Sequence, residues 1–424
     1  MVAGKIRYVY VAAATLVLLL AGIIYAWSIL NTPFQTQFGW SQAALGLNFT
    51  LTMGAFCTGL IVGGILNKRI SLKKTMILSG VLVCAGFVIT GTMSGNNIVV
   101  LYIAYAVFCG LGIGTVYNAL ISSIMGWFPD KRATVSGVLM MGFGASTLVF
   151  GIIANTIMDA VGWRSLYIGI GVTILVVFTL CSFLVKAYVP PKVSEKTPDV
   201  CDNKLREKKN EMLSDSSLQK STEPKKPKEF KISQVLKTSS FWRFYGFEVF
   251  IAAVGACVIS MARDMAIYVD IAETTAVMLV GVSSVSNGIG RIVAGMLFDK
   301  KGSLVTMRIV GIIALTTPLF MLLSSITGIR ALFIPGIIFA GFSYGFTPVL
   351  SSGFMGKTYG MKNFPLNFSV ASTFLFVASF SATVGGIIYG ATGGFNTVFI
   401  FMAVIGVLAI VMGESLKSVS HNQN

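Results

Sequence analysis

Twelve apolar stretches, each long enough to cross a hydrocarbon layer, constrain this chain more than any other feature. They fall at about 8–30, 43–66, 75–93, 98–125, 133–157, 165–187, 242–262, 276–298, 305–325, 331–355, 365–389 and 396–413. A bilayer core about 30 Å thick needs about 20 apolar residues in helical form. Inside lipid each backbone N–H and C=O must be satisfied within its own element, which leaves the helix for isolated runs of this kind. Composition agrees, with 55% of the 424 residues hydrophobic and 11% charged. The 45 glycines suit close helix–helix contact in lipid. The expected fold class is an all-α membrane protein with twelve transmembrane helices in two six-helix halves. Lys5 and Arg7 before the first run would suit a signal peptide, but the run is too long and lacks a small-residue cleavage site, so it is read as the first span.

The net charge of +16 would suggest nucleic acid in a soluble protein. Its distribution suggests membrane topology instead. Lys5, Arg7, Lys68, Arg69, Lys73, Lys74, Lys131, Arg132, Lys300, Lys301, Lys357, Lys362 and Lys417 all fall on one side of the twelve-span pattern. The other side receives Arg164, Arg263 and Arg330. Basic loops stay in the cytoplasm, so both termini are expected there, in the plasma membrane. No nucleic-acid partner is expected. The six cysteines form no disulfide or metal framework, and the one histidine, His421, lies in the tail. No metal, no cofactor and no intramembrane catalytic group follow from this sequence.

Residues 188–240 interrupt the pattern with twelve Lys/Arg, eight Asp/Glu and Pro190, Pro191, Pro224 and Pro227. This composition reads as a solvated, disordered cytoplasmic linker. The expected division is therefore a half at 1–187, the linker at 188–240, a half at 241–414 and a tail at 415–424. The halves echo each other after their second span, at Gly63-Gly-Ile-Leu-Asn67-Lys68-Arg69 and Gly295-Met-Leu-Phe-Asp299-Lys300-Lys301. Such turns can cap neighbouring helix ends while the basic residues hold them at the membrane face. Asn67 lacks the charge of Asp299, so a latch in the first half should be weaker.

Arg291 stands inside the eighth span, eight residues before Asp299. At ~1.5 Å per residue it lies roughly 12 Å deep, close to the midplane. A charge there costs at least ~2.5–3.5 kcal/mol and must face the bundle interior or a wet cavity. Ser284, Asn287 and Gly288 share its face. One reading is a structural arginine held by carbonyls or a fixed acid; the other is a site for an anionic substrate. Glu248, five residues past Arg243 in the seventh span, is expected to snorkel to the interface or pair with Arg243. The alternative for Glu248 is a proton carrier.

Several motifs narrow the reading: Gly22-Ile-Ile-Tyr25-Ala-Trp-Ser-Ile-Leu-Asn-Thr-Pro33, Trp127-Phe-Pro-Asp130-Lys-Arg132, Phe241-Trp242 and Asn287-Gly-Ile-Gly-Arg291. Together they resemble the oxalate/formate antiporter family, a branch of the major facilitator superfamily related to monocarboxylate transporters. The resemblance runs over all but the linker. It implies a carrier of two parallel six-helix repeats. It implies that Arg291 grips a substrate carboxylate and that Tyr25, Tyr117, Tyr344 and Phe368 wall the cavity. Phe368 stands where the family's oxalate carrier has tryptophan. That carrier also has a lysine in the eleventh span, whereas Phe368–Ser379 here contains no Lys or Arg. One guanidinium balances one carboxylate, so the expected substrate is a monocarboxylate such as formate, acetate, lactate or pyruvate. Asn287 stands where proton-coupled relatives keep an aspartate, which favours antiport or facilitated exchange. An oxalate or dicarboxylate antiporter and a proton-coupled symporter remain alternatives, as does a membrane sensor on a transporter scaffold. Two-half carriers commonly act as monomers, and a monomer is expected.

Overall fold

In a computed structural model the described residues are 2–40, 42–94, 97–188 and 229–416. Most of the expected linker, and the tail from 417, therefore lie outside them. Among the described residues, eleven helices are long and apolar enough to cross a membrane. The remaining expected span is the 30-residue helix Arg132–Val161.

The spans, in order, are α1 (Val2–Ala21), α2 (Gln42–Arg69), α3 (Leu72–Thr92), α4 (Ile98–Met125), α5 (Arg132–Val161) and α6 (Trp163–Leu184). The second set is α7 (Ser239–Tyr268), α8 (Glu273–Lys301), α9 (Ser303–Thr327), α10 (Phe333–Tyr359), α11 (Phe364–Thr392) and α12 (Phe395–Ser415). Starts are set by short polar side chains. Ser71 accepts from Lys74 N, Asn97 from Val99 N and Thr238 from Phe241 N, each satisfying a donor that the first helical turn leaves open. Side chains such as Leu180, Phe183, Ile326 and Val411 remain exposed on the outer surface. In water that would be costly; against lipid tails it is the stable arrangement.

Three spans depart from a regular helix along their length. α1 tightens into a 3₁₀ turn over Gly22–Ala26 before continuing as Trp27–Leu30. α4 widens to a π-helix over Tyr102–Cys109. α11 breaks at Thr373, between Phe364–Ser372 and Phe374–Thr392. Such irregularities turn side chains out of the regular helical register and concentrate at functional sites.

Residues 229–238, within the stretch expected as linker, are part of the described fold. Residues 229–238 pack on the α10–α11 turn. Glu229 accepts from Met361 N and Lys362 N, Phe230 N donates to the Tyr359 carbonyl, and Val235 is fully buried. Two apolar anchors within a polar run are enough to order it, and composition averaged over the linker hides them.

Candidate functional site

Both halves contribute to one cavity at the level of Arg291. Its wall consists of Tyr25, Phe56, Leu60, Tyr117, Phe143, Arg291, Tyr344, Pro348, Phe368, Ser372 and Leu375. The local structure explains why these side chains meet. The 3₁₀ turn of α1 carries Tyr25, and the break in α11 falls directly after Ser372. Tyr344 reaches the site where α7 offers Gly255, whose position leaves no room for a side chain beside the tyrosine. The rings pack edge to face, with Tyr25–Phe143 at 5.2 Å and Tyr117–Phe143 at 4.9 Å, the arrangement their quadrupoles favour. The space open to the centre of a water molecule is about 10 Å³, room for about one water.

Arg291 is only 3% exposed. Its Nε donates to Asn287 Oδ1 at 3.2 Å, and one terminal nitrogen donates to the Met140 carbonyl of α5. No carboxylate lies within ion-pair distance of it among the described residues. Its second terminal nitrogen donates to no group there either. α5 comes this close because residue 144 is glycine. A Cβ at that position would lie 3.0 Å from Cζ of the guanidinium. The result is a cation held in place by neutral dipoles, its net charge uncompensated by any carboxylate among the described residues. A buried positive charge in that state favours an anion beside it.

The other residues singled out in the sequence fall elsewhere. Asn287 does not line the cavity; it positions Arg291 from one turn away. Glu248 corrects an expectation. It is 0% exposed, and neither carboxyl oxygen has a hydrogen-bond partner among the described residues. It neither snorkels nor pairs with Arg243, which donates instead to the Ser415 carbonyl at 2.7 Å. The reason is rotational, since residues five apart sit roughly 140° apart around a helix. At the other membrane face Arg263 pairs with Asp264 at 3.5 Å and also with Glu273.

The two halves are tied together on the face that carries the termini. Asp299 accepts from Ala133 N at 3.3 Å, Thr134 N at 2.8 Å and Thr134 Oγ1 at 2.7 Å. An acid of one half thus caps the first turn of α5 in the other half. Lys300 and Asp130 are exposed around this contact, and Arg132 begins α5. The matching turn behaves differently. Asn67 donates to Ser122 Oγ at 2.9 Å within its own half. Arg69 is exposed, and the Lys68 side chain lies outside the described atoms. The α2–α11 seam is tied instead by Asn118, whose Nδ2 reaches Leu60 O at 2.7 Å, Pro365 O at 2.7 Å and Ser369 Oγ at 2.8 Å. Gly64 permits that approach, since a Cβ there would lie 2.8 Å from Pro365 O. Between α5 and α10, Ser136 Oγ meets Ser352 Oγ at 2.7 Å. The cavity is therefore shut from the terminal face.

Sequence reasoning did not find Phe56, Phe143, Leu60, Pro348, Ser372 or Asn118. Apolar residues on a membrane helix look alike until the packing is known. The recurrence of glycine at 137 and 144 on α5 was an available sign of a close crossing.

Comparison with known proteins gives four likenesses. The profile of the Major Facilitator Superfamily matches residues 11–383. The oxalate:formate antiporter of Oxalobacter formigenes is 24% identical over 414 residues, covering 96% of this chain and 90% of that protein. Monocarboxylate transporter 6 of Mus musculus is 25% identical over 201 residues, 41% of each chain. A crystal structure of the Escherichia coli fucose:proton symporter superposes with a TM-score of 0.63 at 15% identity, covering 97% of this chain and 99% of that one.

Proposed function

Because the chain belongs to the Major Facilitator Superfamily, we propose that it carries small organic anions across the plasma membrane by alternating access. The termini are placed in the cytoplasm by the basic-loop pattern, and the protein works as a monomer. The observation that carries this reading is Arg291, buried without a carboxylate partner among the described residues and facing an aromatic cavity shared by both halves. The substrate is a monocarboxylate of the formate, acetate, lactate or pyruvate type. One guanidinium offers two parallel hydrogen bonds to one carboxylate, and the small cavity favours the shorter acids. Tyr25, Tyr117 and Tyr344 supply hydroxyl donors, while Phe368 and Phe143 exclude water and so strengthen the ion pair.

The mechanism follows from charge. An anion on Arg291 makes the cavity electrically neutral, which lowers the cost of moving the halves past the midplane. An empty cavity keeps its charge and resists the same movement, so exchange outruns net flow. Asp299 and Asn118 hold the terminal face shut in one state and must release it in the other. A likeness to the oxalate:formate antiporter supports an anion substrate, while the absence of Lys and Arg from 368–379 argues against a dianion.

The test is counterflow in proteoliposomes preloaded with formate, acetate, lactate, pyruvate or oxalate. Wild type should exchange a monocarboxylate, and Arg291→Ala should lose exchange while eluting as the same folded species. Undiminished exchange by Arg291→Ala would remove the proposal.

A further inference from the structure

Glu248 is the buried acid that the anion-binding site leaves unused. Its side chain is fully enclosed, and both carboxyl oxygens lack hydrogen-bond partners among the described residues. Its position can be read from the α7–α10 packing. Phe244 stacks on Phe354 at 4.0 Å and 10°, and Gly255 meets Tyr344. The two helices run antiparallel, so Glu248 lies level with Leu350 and Ser351. Ser351 Oγ is another buried polar atom without a partner. Glu248 thus sits between the cavity and the terminal face, and the Phe244–Phe354 stack lies on its terminal side.

The charged groups around α7 are engaged elsewhere. On α7 itself Arg243 reaches the Ser415 carbonyl, and Tyr245 meets Thr373 Oγ1 at 3.0 Å. On α12 and α9, Glu414 and Arg308 pair with each other. On α10, Lys357 is exposed and Tyr359 bonds Thr238 at 2.7 Å. On α8, Asp299 is tied to α5, Lys300 and Lys301 are exposed at the membrane face, and Arg291 is held by Asn287 and Met140. In α11, Phe374–Thr392 contains no acid or base except the phenol Tyr389. No cation is within ion-pair distance of Glu248 among the described residues. A carboxylate in such a place has no donor and no counter-ion among the described residues, and burial without either disfavours a charged group.

We infer that Glu248 is a proton-binding site, loaded while the terminal face is closed and emptied to water when that face opens. The inference rests on the anion-carrier reading and adds its coupling ion. The charge count explains what the site does. With substrate bound, Arg291 is balanced by the anion and Glu248 is neutral. When the face opens, the anion leaves Arg291 and the Glu248 carboxyl O–H gives its proton to water. The protein then holds one positive and one negative group, again neutral in sum. Ionised Glu248 offsets the charge that otherwise makes the empty form resist return, so the carrier gains a proton-linked net flux beside exchange. Asn287 cannot perform this task because an amide holds no exchangeable charge.

Infrared spectroscopy of the purified protein tests the site without any substrate. At neutral pH wild type should show a protonated-carboxyl C=O band that Glu248→Gln loses and Arg291→Ala keeps. Proteoliposomes then test coupling with labelled pyruvate, or whichever acid the counterflow screen finds. An inward proton gradient should accelerate net uptake by wild type several-fold and by Glu248→Gln not at all, while Glu248→Gln retains counterflow. Absence of the band in wild type, or its persistence in Glu248→Gln, overturns the proton site, even if the variant folds poorly. A band with gradient-insensitive net uptake overturns coupling. Absence of carboxylate transport in both proteins condemns the substrate reading and leaves the infrared result to decide the proton site.

Discussion

Removing the Asp299 carboxylate should open the terminal face, and the contact geometry sets the size of the effect. Asp299 accepts from two backbone N–H groups and one hydroxyl of α5, at 3.3, 2.8 and 2.7 Å. Replacing a helix-capping acceptor by alanine costs ~0.5–2 kcal/mol. Asp299 is exposed, so the charged part is screened, and the middle of that range is the fair choice. About 1.4 kcal/mol is tenfold in the ratio of closed to open forms. The open form makes none of these contacts, so the full loss falls on the closed form. The measurement is a double electron–electron resonance distance between spin labels at Lys74 and Lys362, exposed positions on the terminal face of opposite halves. Asp299→Ala should raise the longer-distance population about tenfold relative to the shorter one. Thr134→Val, which loses only the hydroxyl contact, should give a smaller change. A distance distribution for Asp299→Ala that superimposes on wild type would refute the latch.

Four further outcomes follow from the same geometry. Asn287→Asp places a carboxylate about one hydrogen bond from Arg291 Nε, and this fixed counter-ion should weaken formate or pyruvate binding by ~10-fold or more at neutral pH; unchanged calorimetric affinity would contradict a site that depends on uncompensated charge. Arg291→Lys keeps the charge but loses the two-pronged geometry, so affinity should fall ~10- to 100-fold while circular dichroism stays that of wild type. Gly144→Val drives a side chain into the guanidinium, and counterflow should be lost in a protein that still elutes as folded. Asn118→Ala removes three donor contacts across the α2–α11 seam and should lower the thermal midpoint by several degrees while increasing labelling of a cysteine placed at Ser369.

The resemblance to known anion carriers was legible because it is carried by local words in the sequence. Asn287-Gly-Ile-Gly-Arg291 sits on one helix, and its depth follows from counting back to Asp299. Tyr25 and Tyr117 were legible only as members of a family pattern, and Phe56 and Phe143 not at all. Glu248 shows the limit from the other side. Its distance from Arg243 in sequence suggested a pair, but a helix turns residues five apart to different faces.

The sequence alone determined that the chain is built of apolar helices of membrane-spanning length and that one cation must lie deep among them. These are one-dimensional consequences of hydrocarbon thickness, helical rise and the cost of stranded charge. Tertiary structure alone decided what surrounds that cation, which acid caps which helix, and that Asn118 rather than Asn67 ties the second seam. Those outcomes depend on how far two helices can approach, and glycine positions such as 64 and 144 acquire meaning only when the opposing helix is in place.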